Sequence, residues 1–431
     1  ELGREAFLKR ADTWYEEIGA TILQQMKRLG CSCDWSRNRF TMDEAYVRAV
    51  FTAFLQYYEK GYIYRGNRIV NWCARCASVV SDLEVIHDER ETTLYTLRYP
   101  FEDGSGFIEV ATTRPETMLG DTAVAVHPED TRYLDTIGKR VALPLTERII
   151  PIIADTRIDP AFGTGAVKVT PAHDALDAAI GQDHNVPIVN VIGEDGRMTA
   201  EAGEFTGLTT EEARRAVVKK LGEAVQKQEQ YHHSVALCDR CGGIIEPLIS
   251  RQWFVDMSKL SSETIEVAKK ELIEFIPSRW KEHFLAWMAG VHDWTISRQI
   301  WLGHRMPVWW EPGTRGTDHE EGNYIVSLEK PTGEWEQDPD VLDTWFSSAL
   351  WPFATLGWPD TTRDLARFYP TSTLITGRDI LHLWVARMVF SGLDLMQGKE
   401  YGSRSQAERI PFAKVFIHPT VLTKTGQRMS K

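Results

Sequence analysis

Two Cys-x-x-Cys pairs constrain the fold of this sequence more than any other feature. They are Cys73/Cys76 and Cys238/Cys241, and residues 77–237 separate them. Four thiolates form a closed tetrahedral site for a structural zinc ion. One pair alone is also compatible with a redox pair or with chance, so the prediction depends on both pairs. A single zinc shared by the two pairs would join the ends of an inserted domain, so the cysteines predict domain organisation as well as a metal.

Chain length and charge narrow the class of protein. At 431 residues the chain is expected to form two or three domains. The net charge of −12, from 49 basic and 61 acidic residues, argues against an extended basic surface for nucleic acid but leaves room for a local basic groove. Six cysteines are too few for a disulfide scaffold, which favours a reducing cytoplasm. No apolar run reaches the ~18 residues of a membrane span, so no membrane is expected.

A glycine turn, a strand and a helix start follow one another between Gly163 and Asp177. Glycines at 163 and 165 permit backbone conformations that a side chain would oppose. The pattern predicts a strand from Ala166 to Val169. Thr170 then suits the N-cap of a helix and Pro171 its first position.

Charged side chains on this segment suggest a binding site. Asp174 and Asp177 lie three residues apart and would share a helix face, and Lys168 lies on the preceding strand. Two carboxylates and a lysine are able to hold an ammonium group and position a water molecule. Alternatively, the aspartates only complement the helix dipole. Spacing alone does not decide between these interpretations.

Short apolar runs alternate with turns between the two cysteine pairs. This pattern predicts a closed or nearly closed β-rich domain with one or two helices, one of them running from Thr209 to about Lys227. The predicted strands are Leu94–Tyr99, Gly106–Thr112, Thr122–His127, Arg148–Ala154, Ala166–Thr170 and Val186–Val191.

The remainder of the chain is predicted to be helical at first and α/β towards its end. Helices are expected over Ala11–Arg28 and from Thr41 to Lys60. Eleven of the fifteen tryptophans lie between Trp253 and Trp358, where they would form a core or stack on unpaired bases. A buried strand ending at Gly377, a helix over Asp379–Phe390 and a strand over Val415–His418 fit a parallel sheet.

Together these segments resemble class I aminoacyl-tRNA synthetases of the valine, isoleucine and leucine subgroup. The resemblance is collinear and covers essentially the whole chain. Arg428-Met429-Ser430-Lys431 resembles the Lys-Met-Ser-Lys signature of the class. Segments similar to the subgroup, and above all to valyl-tRNA synthetases, are Asn71–Cys76, Thr112–Thr117, Gly163–Asp174, Asp293–Gln299, Asp343–Ser348 and Thr376–Ile380.

The resemblance implies two chemistries. Valine and ATP, with Mg²⁺, would form valyl-adenylate, and the valyl group would then pass to the terminal adenosine of its tRNA. For this class it is established that an apolar synthetic pocket rejects the isosteric threonine only ~10²-fold. A second, hydrolytic site in the inserted domain would therefore remove threonine from the tRNA.

Site residues follow from the resemblance position by position. Asp177 would bind the α-amino group of the misplaced threonine. Thr112, Arg114, Lys168 and Asp174 would line the same pocket and hold the terminal adenosine. Trp345, Ile380 and Trp384 would wall the valine side chain. Arg428 and Lys431 would be catalytic and bind the ATP phosphates, and structural zinc would be held by Cys73, Cys76, Cys238 and Cys241.

The implied fold is α/β. An incomplete split Rossmann-type catalytic domain would be interrupted by an inserted, β-rich and barrel-like editing domain with a zinc knuckle. The expected parts are residues 1–82, the first catalytic part with half of the knuckle; 83–235, the editing domain; 236–340, the other half of the knuckle and a Trp-rich connective region; and 341–431, the second Rossmann half.

Some features depart from the resemblance. The upstream His-x-Gly-His motif is absent, no initiator Met precedes Glu1, and the sequence stops at Lys431 before an anticodon-binding region. We therefore expect an internal fragment of a longer protein. His382 stands where a large apolar residue is expected. Some relatives carry a further cysteine cluster between Trp310 and Asp338, and its absence here predicts no second zinc.

Three alternatives remain: an isoleucyl- or leucyl-type synthetase, a free-standing aminoacyl-tRNA deacylase, and a non-catalytic zinc module that binds RNA. Isoleucyl enzymes usually have a Thr-rich segment in place of Arg114-Pro115-Glu116, and leucyl enzymes normally lack a lysine at the place of Lys168. These two differences favour valine. The Arg-Met-Ser-Lys segment at residues 428–431 argues against the deacylase and the RNA-binding module.

Overall fold

A computed structural model describes residues 2–317, 323–397, 404–426 and 429. The chain divides into two compact units. One comprises Glu1–Arg65 together with Trp253–Lys431, and the other comprises Gly66–Gln252. The chain passes between them within two strands, Ile63–Cys73 and Glu246–Val255.

In the central unit, residues 66–252, strands are more numerous than α-helices. Besides the two connecting strands, its strands are Ser78–Val80, Val85–Pro100, Phe107–Thr112, Ala123–Val126, Arg140–Ala142, Ile149–Ala154, Ala166–Val169 and Val225–Cys238. Its α-helices are Ala175–Asp183 and Thr210–Leu221. The second helix begins at a capping box formed by Thr209 and Glu212, and it ends at Gly222, where φ is 51°. It is therefore shorter than predicted, because the chain turns at this glycine.

Two open sheets contain most of the strands of this unit. In the first, Val85–Pro100 lies between Phe107–Thr112 and Val225–Cys238, and both pairings are antiparallel. The second sheet has four strands, which lie side by side in the order Arg140–Ala142, Ile149–Ala154, Ala123–Val126 and Ala166–Val169. Its middle pair is parallel and the outer pairs are antiparallel, so the sheet is mixed.

The sequence predicted a closed or nearly closed β-rich domain, and residues 66–252 form no closed barrel. Between the two sheets these residues form an isolated bridge from Phe101 to Val141 rather than a continuous ladder. The bridge lies at Arg140–Ala142, an edge strand of 3 residues, which is too short to carry a ladder around a closed barrel.

Five of the six predicted strands of the central unit are confirmed, and the sixth is wrong. Residues 186–191 form no strand. At the end of this segment the backbone N–H of Val191 donates to the ring of His173 instead of to a neighbouring strand, and so does the N–H of the next residue, Ile192.

The other unit contains most of the helices. Its α-helices are Arg4–Arg28, Glu44–Glu59, Met257–Lys269, Arg279–Ala289, Thr344–Ser348, Trp351–Ala354, Arg363–Phe368, Ala386–Leu395 and Gln406–Arg409. Its strands are Glu274–Ile276, Trp294–Thr295, Ser297–Arg298, Val308–Trp310, Tyr324–Val326, Glu336–Gln337, Val341–Leu342, Thr371–Gly377 and Phe412–His418. Among the helices of the described ranges, none has the length and apolar character needed to span a membrane.

A parallel three-stranded sheet organises the end of this unit. Phe412–His418 lies between Glu274–Ile276 and Thr371–Gly377, and both pairings are parallel. Helix Ala386–Leu395, all of whose residues are buried, connects two of the strands in sequence. The predicted strand–helix–strand order is confirmed, and it places this region in the α/β class. However, the strand that ends at Gly377, which was predicted to be buried, is not buried throughout, since Ile375 is 66% exposed.

Three predicted helices of this unit differ from the prediction in where they begin or how they run. The helix predicted over Ala11–Arg28 begins at Arg4 and ends at Arg28. The segment 378–390 is not one helix, because a π-helical turn, Leu381–Val385, separates a short 3₁₀ segment from helix Ala386–Leu395. The helix expected from Thr41 begins instead at Glu44, because the side chain of Asp43 accepts the N–H of Tyr46 and caps it.

Some of the tryptophans belong to the core of this unit. Trp253, Trp310 and Trp358 are each 1% exposed and lie in one apolar cluster with Phe54 and Phe353. This favours the core interpretation over base stacking for these three residues.

Candidate functional site

The four cysteines of the two Cys-x-x-Cys pairs converge in the central unit. Their sulfur atoms all lie within 4.8 Å of one another. The Sγ–Sγ distance is 3.5 Å between Cys73 and Cys241 and 4.0 Å between Cys76 and Cys238. Tetrahedral zinc with Zn–S bonds of ~2.3 Å requires sulfur atoms about 3.8 Å apart, so this donor set fits zinc.

Backbone N–H groups donate to two of the four sulfur atoms. Cys76 N–H donates to Cys73 Sγ at 3.4 Å, and Gly243 N–H donates to Cys241 Sγ at 3.4 Å. A Cβ at position 243 would lie 3.2 Å from Cys241 Sγ, so glycine keeps this approach open. Such N–H groups stabilise thiolate charge, which a zinc ligand requires.

The segment from Gly163 to Asp177 brings the predicted editing residues into the central unit. Strand Ala166–Val169 pairs with Ala123–Val126, with Lys168 opposite Val124. Gly163 has a φ of 54°, and a Cβ there would lie 2.5 Å from the Cβ of Ala111. Glycine therefore lets the turn approach the strand end that precedes Thr112.

The helix after this strand begins later than predicted. Its N-cap is Asp174, whose carboxylate accepts the N–H groups of Leu176 and Asp177 at 2.8 and 3.0 Å. Thr170 is not the cap, because its hydroxyl donates to the carboxylate of Asp121 at 2.6 Å instead. The prediction of a helix start at Thr170-Pro171 is wrong for that reason.

Asp177 lies on the buried side of this helix. Its side chain is 7% exposed, and its carboxylate accepts the backbone N–H of Thr170 at 2.8 Å. Burial raises the pKa of Asp177 to about 7, although the positive charge of Lys168 opposes the shift. Near neutral pH the carboxyl group of Asp177 therefore loses its proton with little expenditure of free energy when a cation binds beside it.

A hydrogen-bonded cluster surrounds the ammonium group of Lys168. Its Nζ donates to Thr170 Oγ1 at 2.6 Å and lies 3.5 Å from Asp121 Oδ1. Asp121 is completely buried and also accepts the hydroxyl of Tyr99 at 2.6 Å. Burial raises the pKa of Asp121, and Lys168 counteracts the shift.

Thr112 and Arg114 belong to a neighbouring ion-pair network. The N–H of Arg114 donates to Thr112 Oγ1 at 3.0 Å. The guanidinium of Arg114 donates to Glu116 at 3.3 Å and to Glu246. Glu116, which is completely buried, is also bound by Arg214 through two bonds of 2.8 and 2.9 Å. The side chain of Arg114 is therefore oriented by carboxylates on both sides.

His173 connects the helix start to other parts of the same unit. Its Nε2 accepts the N–H groups of Val191 and Ile192 at 3.0 and 3.2 Å, and Nδ1 lies 3.3 Å from the carbonyl of Pro247. Burial lowers the pKa of His173 to about 3, so the ring is neutral. Its Nδ1–H then donates to the carbonyl, which makes His173 a structural connector.

A cleft of about 360 Å³ opens beside the Gly163 turn. Its lining includes Ala111, Gly163 and Thr164, together with Thr96 and Glu109. None of the five predicted editing residues lines it, although it adjoins Thr112 through Ala111.

The predicted valine-pocket residues lie in the other unit, on neighbouring elements. Trp345 is on helix Thr344–Ser348, and Trp384 is in the π-helical turn that follows Ile380. The indole N–H of Trp384 donates to the carbonyl of Ser348 at 2.9 Å, which connects the two elements. Ile380, Trp345 and Trp384 are all half-buried.

A buried ion pair fixes the helix that carries Trp345. Asp343 caps this helix by accepting the N–H of Trp345 at 3.1 Å. Its other oxygen accepts Arg298 Nη2 at 2.8 Å and the indole N–H of Trp294 at 2.9 Å. Asp343 and Arg298 are 1% and 2% exposed.

His382, the residue that departs from the expected apolar character, packs against an aromatic ring. It stacks on Trp287 with ring centroids 5.1 Å apart and an interplanar angle of 10°. Burial lowers the pKa of His382, which favours a neutral ring that packs as an aromatic group.

Comparison with known proteins identifies the family. The sequence profile described as "tRNA synthetases class I (I, L, M and V)" matches residues 1–431. This chain belongs to that family of class I tRNA synthetases. The α/β class with mixed sheets agrees with this membership.

Curated relatives of this synthetase chain are described as "Valine--tRNA ligase". The protein from Carboxydothermus hydrogenoformans is 51% identical over 436 residues, which cover 100% of this chain and 48% of the relative. Those from Dehalococcoides mccartyi and Thermotoga maritima are 49% identical over 440 and 436 residues, which cover 100% of this chain and 48% and 49% of the relatives. The chain thus spans about half the length of the curated relatives it matches.

One solved structure is similar at a lower level. It is described as the ternary complex of Agrobacterium radiobacter K84 agnB2 LeuRS-tRNA-LeuAMS, and the match covers 99% of this chain and 59% of that chain. The identity is 18% and the TM-score is 0.44, which carries no argument about this fold.

The structure groups the predicted site residues of this synthetase chain only in part. Lys168 and Asp177 meet through Thr170, whereas Asp174 is exposed and caps the helix. Thr112 and Arg114 contact each other within the ion-pair network. The predicted ATP-binding residues Arg428 and Lys431 lie outside the described residues.

Sequence reasoning missed several side chains of these clusters, namely Tyr99, Asp121, Glu116, Arg214 and Glu246. Glu116 was within a quoted motif, and its position two residues after Arg114 was an available signal. Asp121 precedes Lys168 by 47 residues and carried no local signal.

Proposed function

We propose that this chain is part of a valine–tRNA ligase, in which it contributes to the ATP- and Mg²⁺-dependent activation of valine and its transfer to tRNA. The observation that carries the proposal is identity of 51% across the whole chain to a protein described as a valine--tRNA ligase. Valine, ATP and the valine-accepting tRNA are then the partners, and the cytoplasm is the compartment.

Trp345, Ile380 and Trp384 would wall the valine side chain. The half-buried positions of the two indoles and the bond from Trp384 to Ser348 support a preformed apolar wall. Arg428 and Lys431 would neutralise the ATP phosphates during adenylate formation.

The domain assignment remains residues 1–82, 83–235, 236–340 and 341–431, in which 83–235 is the inserted editing domain and 341–431 the second half of the Rossmann domain. The compact unit Gly66–Gln252 supports an insertion, because it contains residues 83–235 and both Cys-x-x-Cys pairs.

The inserted domain would hydrolyse threonine from mischarged tRNA. Asp177 would bind the α-ammonium group, because a buried carboxylate with a pKa near 7 gains most from a cation that replaces its lost hydration. Lys168 and the hydroxyl of Thr170 lie next to it and are suited to polar groups of the substrate. Thr112, Arg114 and Asp174 would line the pocket and hold the terminal adenosine.

The proposed reaction is ester hydrolysis. The oxygen of a water molecule forms a bond to the ester carbonyl carbon, and the bond from that carbon to the ribose oxygen breaks. The ribose oxygen takes up a proton that the water releases, so the products are free threonine and uncharged tRNA.

The four cysteines would hold one structural zinc ion that joins the two ends of the insertion. Metal analysis of freshly purified protein is expected to give one zinc per chain, and Cys241→Ser is expected to lower that content and to destabilise the central unit. If freshly purified wild-type protein contains no zinc, the four cysteines do not hold a structural zinc ion and this proposal is wrong.

Two assays with the 431-residue chain test the proposed function. Threonyl-tRNA and valyl-tRNA, each charged in advance, are incubated with the chain, and deacylation of the threonyl form only is expected. Valine-dependent ATP–pyrophosphate exchange is expected to be absent from this chain and present in a protein extended through an upstream His-x-Gly-His motif. Equal hydrolysis of both tRNAs, or exchange by the chain alone, would contradict the proposal.

A further inference from the structure

A π-helical turn, Leu381–Val385, directly precedes helix Ala386–Leu395. The N–H of Ala386 donates to the carbonyl of Leu381, whereas in an α-helix it would donate to the carbonyl of His382. The wider turn therefore takes from the His382 carbonyl its α-helical partner. A backbone carbonyl without a donor inside a folded protein costs free energy, so this turn needs a donor from elsewhere.

Arg387, in the first turn of the following helix, supplies that donor. Its Nη1 donates to the carbonyl of His382 at 2.8 Å and to the carbonyl of Leu383 at 3.2 Å. The residue is only 5% exposed, so these bonds are made inside the protein. A guanidinium carries several N–H groups in a fixed plane, which suits it to two neighbouring acceptors. The π-helical turn is therefore stabilised by one buried side chain.

The same guanidinium also packs on Trp294. The Cζ atom of Arg387 lies 4.3 Å from the centroid of the indole ring, within the range of a cation–π interaction. The indole N–H of Trp294 donates to Asp343 at 2.9 Å, and Asp343 caps helix Thr344–Ser348. That helix carries Trp345. Arg387 is therefore connected to the element that carries one proposed wall of the valine pocket.

The π-helical turn itself carries the opposite wall, Trp384. The indole N–H of Trp384 donates to the carbonyl of Ser348, the last residue of the helix that carries Trp345, at 2.9 Å. An α-helix rotates about 100° per residue, and a π-helical turn rotates less. A change from the π-helical to the α-helical hydrogen-bond pattern would therefore rotate Trp384 about the helix axis and displace it from Ser348.

We propose that Arg387 is a positioning residue for valine recognition: its guanidinium stabilises the π-helical turn, and this turn sets the position of Trp384 relative to Trp345. The inference rests on the proposed valine pocket and deepens it, because it names the side chain that fixes the width of that pocket. Arg387 acts through the two tryptophans and not through contact with valine.

The test is Arg387→Met in the full-length protein of which this chain is proposed to be a part. Methionine keeps an unbranched apolar stem and removes the charge and the donors. ATP–pyrophosphate exchange is measured against the concentrations of valine and of ATP. We expect KM for valine to rise about tenfold or more, the lower end of the effect of one misfitted methylene group in an apolar pocket. KM for ATP and kcat should change much less. The preference for valine over isoleucine, which has one more methylene group, should fall by a similar factor.

A spectroscopic measurement on the 431-residue chain tests the position of Trp384 without any assay of activity. The chain is labelled with 5-fluorotryptophan, and the ¹⁹F NMR signal of Trp384 is assigned by its loss in Trp384→Phe. We expect this signal to move in Arg387→Met, because the indole leaves the carbonyl of Ser348.

Arg409→Met is the matched control. Arg409 is also buried and also donates to a carbonyl of helix Ala386–Leu395, that of Leu393, but its guanidinium pairs with Glu263. Both variants should unfold at a lower temperature than the wild type, but Arg409→Met should keep KM for valine and the signal of Trp384.

If Arg387→Met does not fold, Arg387→Lys decides. Lysine keeps the charge but lacks the planar group that binds two carbonyls while it packs on an indole. A smaller rise in KM for valine, in the same direction, is expected for it.

Each outcome gives a decision. An unchanged KM for valine in a folded variant at position 387, a fall in kcat alone, or an unmoved signal of Trp384 overturns the inference while the wild type still activates valine. An equal rise in KM for valine in Arg409→Met also overturns it, because the effect would then be one of general destabilisation. A full-length wild type without valine-dependent exchange overturns the proposed function, and this inference with it.

Discussion

Asp343 and Asp177 are two buried carboxylates with different surroundings. Asp343, in the unit that contains residues 253–431, is 1% exposed and is bound by a guanidinium, an indole N–H and a backbone N–H. Asp177, in the central unit, is 7% exposed, and the hydrogen bond described for its carboxylate comes from the backbone N–H of Thr170. The cation nearest to it in sequence, Lys168, is shared with Asp121.

This difference distinguishes a structural acid from one suited to a ligand. Removing a charge from water costs free energy that only close partners offset. Asp343 has those partners within the protein, and its role is to hold the helix that carries Trp345. Asp177 has fewer close partners, so burial is less well offset and raises its pKa. A substrate ammonium group would supply what is missing.

Removal of the partner of Asp343 should have the largest effect on stability. Arg298→Ala leaves a buried carboxylate without its guanidinium, so we expect a loss of about 3–5 kcal/mol in the free energy of unfolding. Urea unfolding followed by tryptophan fluorescence measures it. Arg48→Ala, which breaks the exposed pair with Asp360, is the control and should change little. Equal effects of the two variants would show that Asp343 is not held by Arg298 as described.

Removal of the charge of Asp177 should affect function rather than folding. Asp177→Asn is expected to reduce deacylation of threonyl-tRNA about 100-fold, the size expected when a charged ligand loses its charged partner. The thermal unfolding midpoint should not fall, because asparagine can still accept the N–H of Thr170. If Asp177→Asn deacylates threonyl-tRNA at the wild-type rate, Asp177 does not bind the substrate's ammonium group.

The same comparison shows what the sequence could predict. Lys168 and Asp177 lie within a strand, a turn and a helix of known periodicity, so their proximity follows from local rules. Asp121 reaches Lys168, and Glu246 reaches Arg114, only through sheet pairing and tertiary packing, which periodicity does not encode. The N-cap was misplaced for the same reason, because the hydroxyl of Thr170 is used by a distant acid.

The pairing of Thr371–Gly377 with Phe412–His418 was predictable from two apolar strands and the helix between them, whereas the third strand of this parallel sheet, Glu274–Ile276, was not predicted. The π-helical turn Leu381–Val385 was not, because it changes hydrogen bonding without changing the apolar pattern. The absence of a closed barrel in the described central unit was also not predictable, since strand patterns indicate pairing but not closure.

The stability difference between Asp177→Asn and the wild type should depend on pH. The pKa of Asp177 is about 7 in the folded chain and near 3.8 when unfolded, so the folded state retains a proton that the unfolded state loses. Its contribution to stability is therefore fully present below about pH 4 and is lost as pH rises to about 7. Relative to the wild type, the variant should gain about 2 kcal/mol between pH 5 and pH 8. Denaturant unfolding at both pH values measures this, and a difference that is independent of pH would show that Asp177 is ionised throughout.

Asp174 provides the smallest and most discriminating test, because it lies on the same helix as Asp177 but is exposed. Its carboxylate caps the helix through two backbone N–H groups, so Asp174→Ala should cost about 1 kcal/mol in the free energy of unfolding. Asp174→Asn, which retains the capping oxygen, should restore that stability. If Asp174 also holds the terminal adenosine, both variants should raise KM for threonyl-tRNA, whereas a cap alone predicts that Asp174→Asn keeps the wild-type KM. The asparagine variant therefore separates the capping role of this carboxylate from a role in binding.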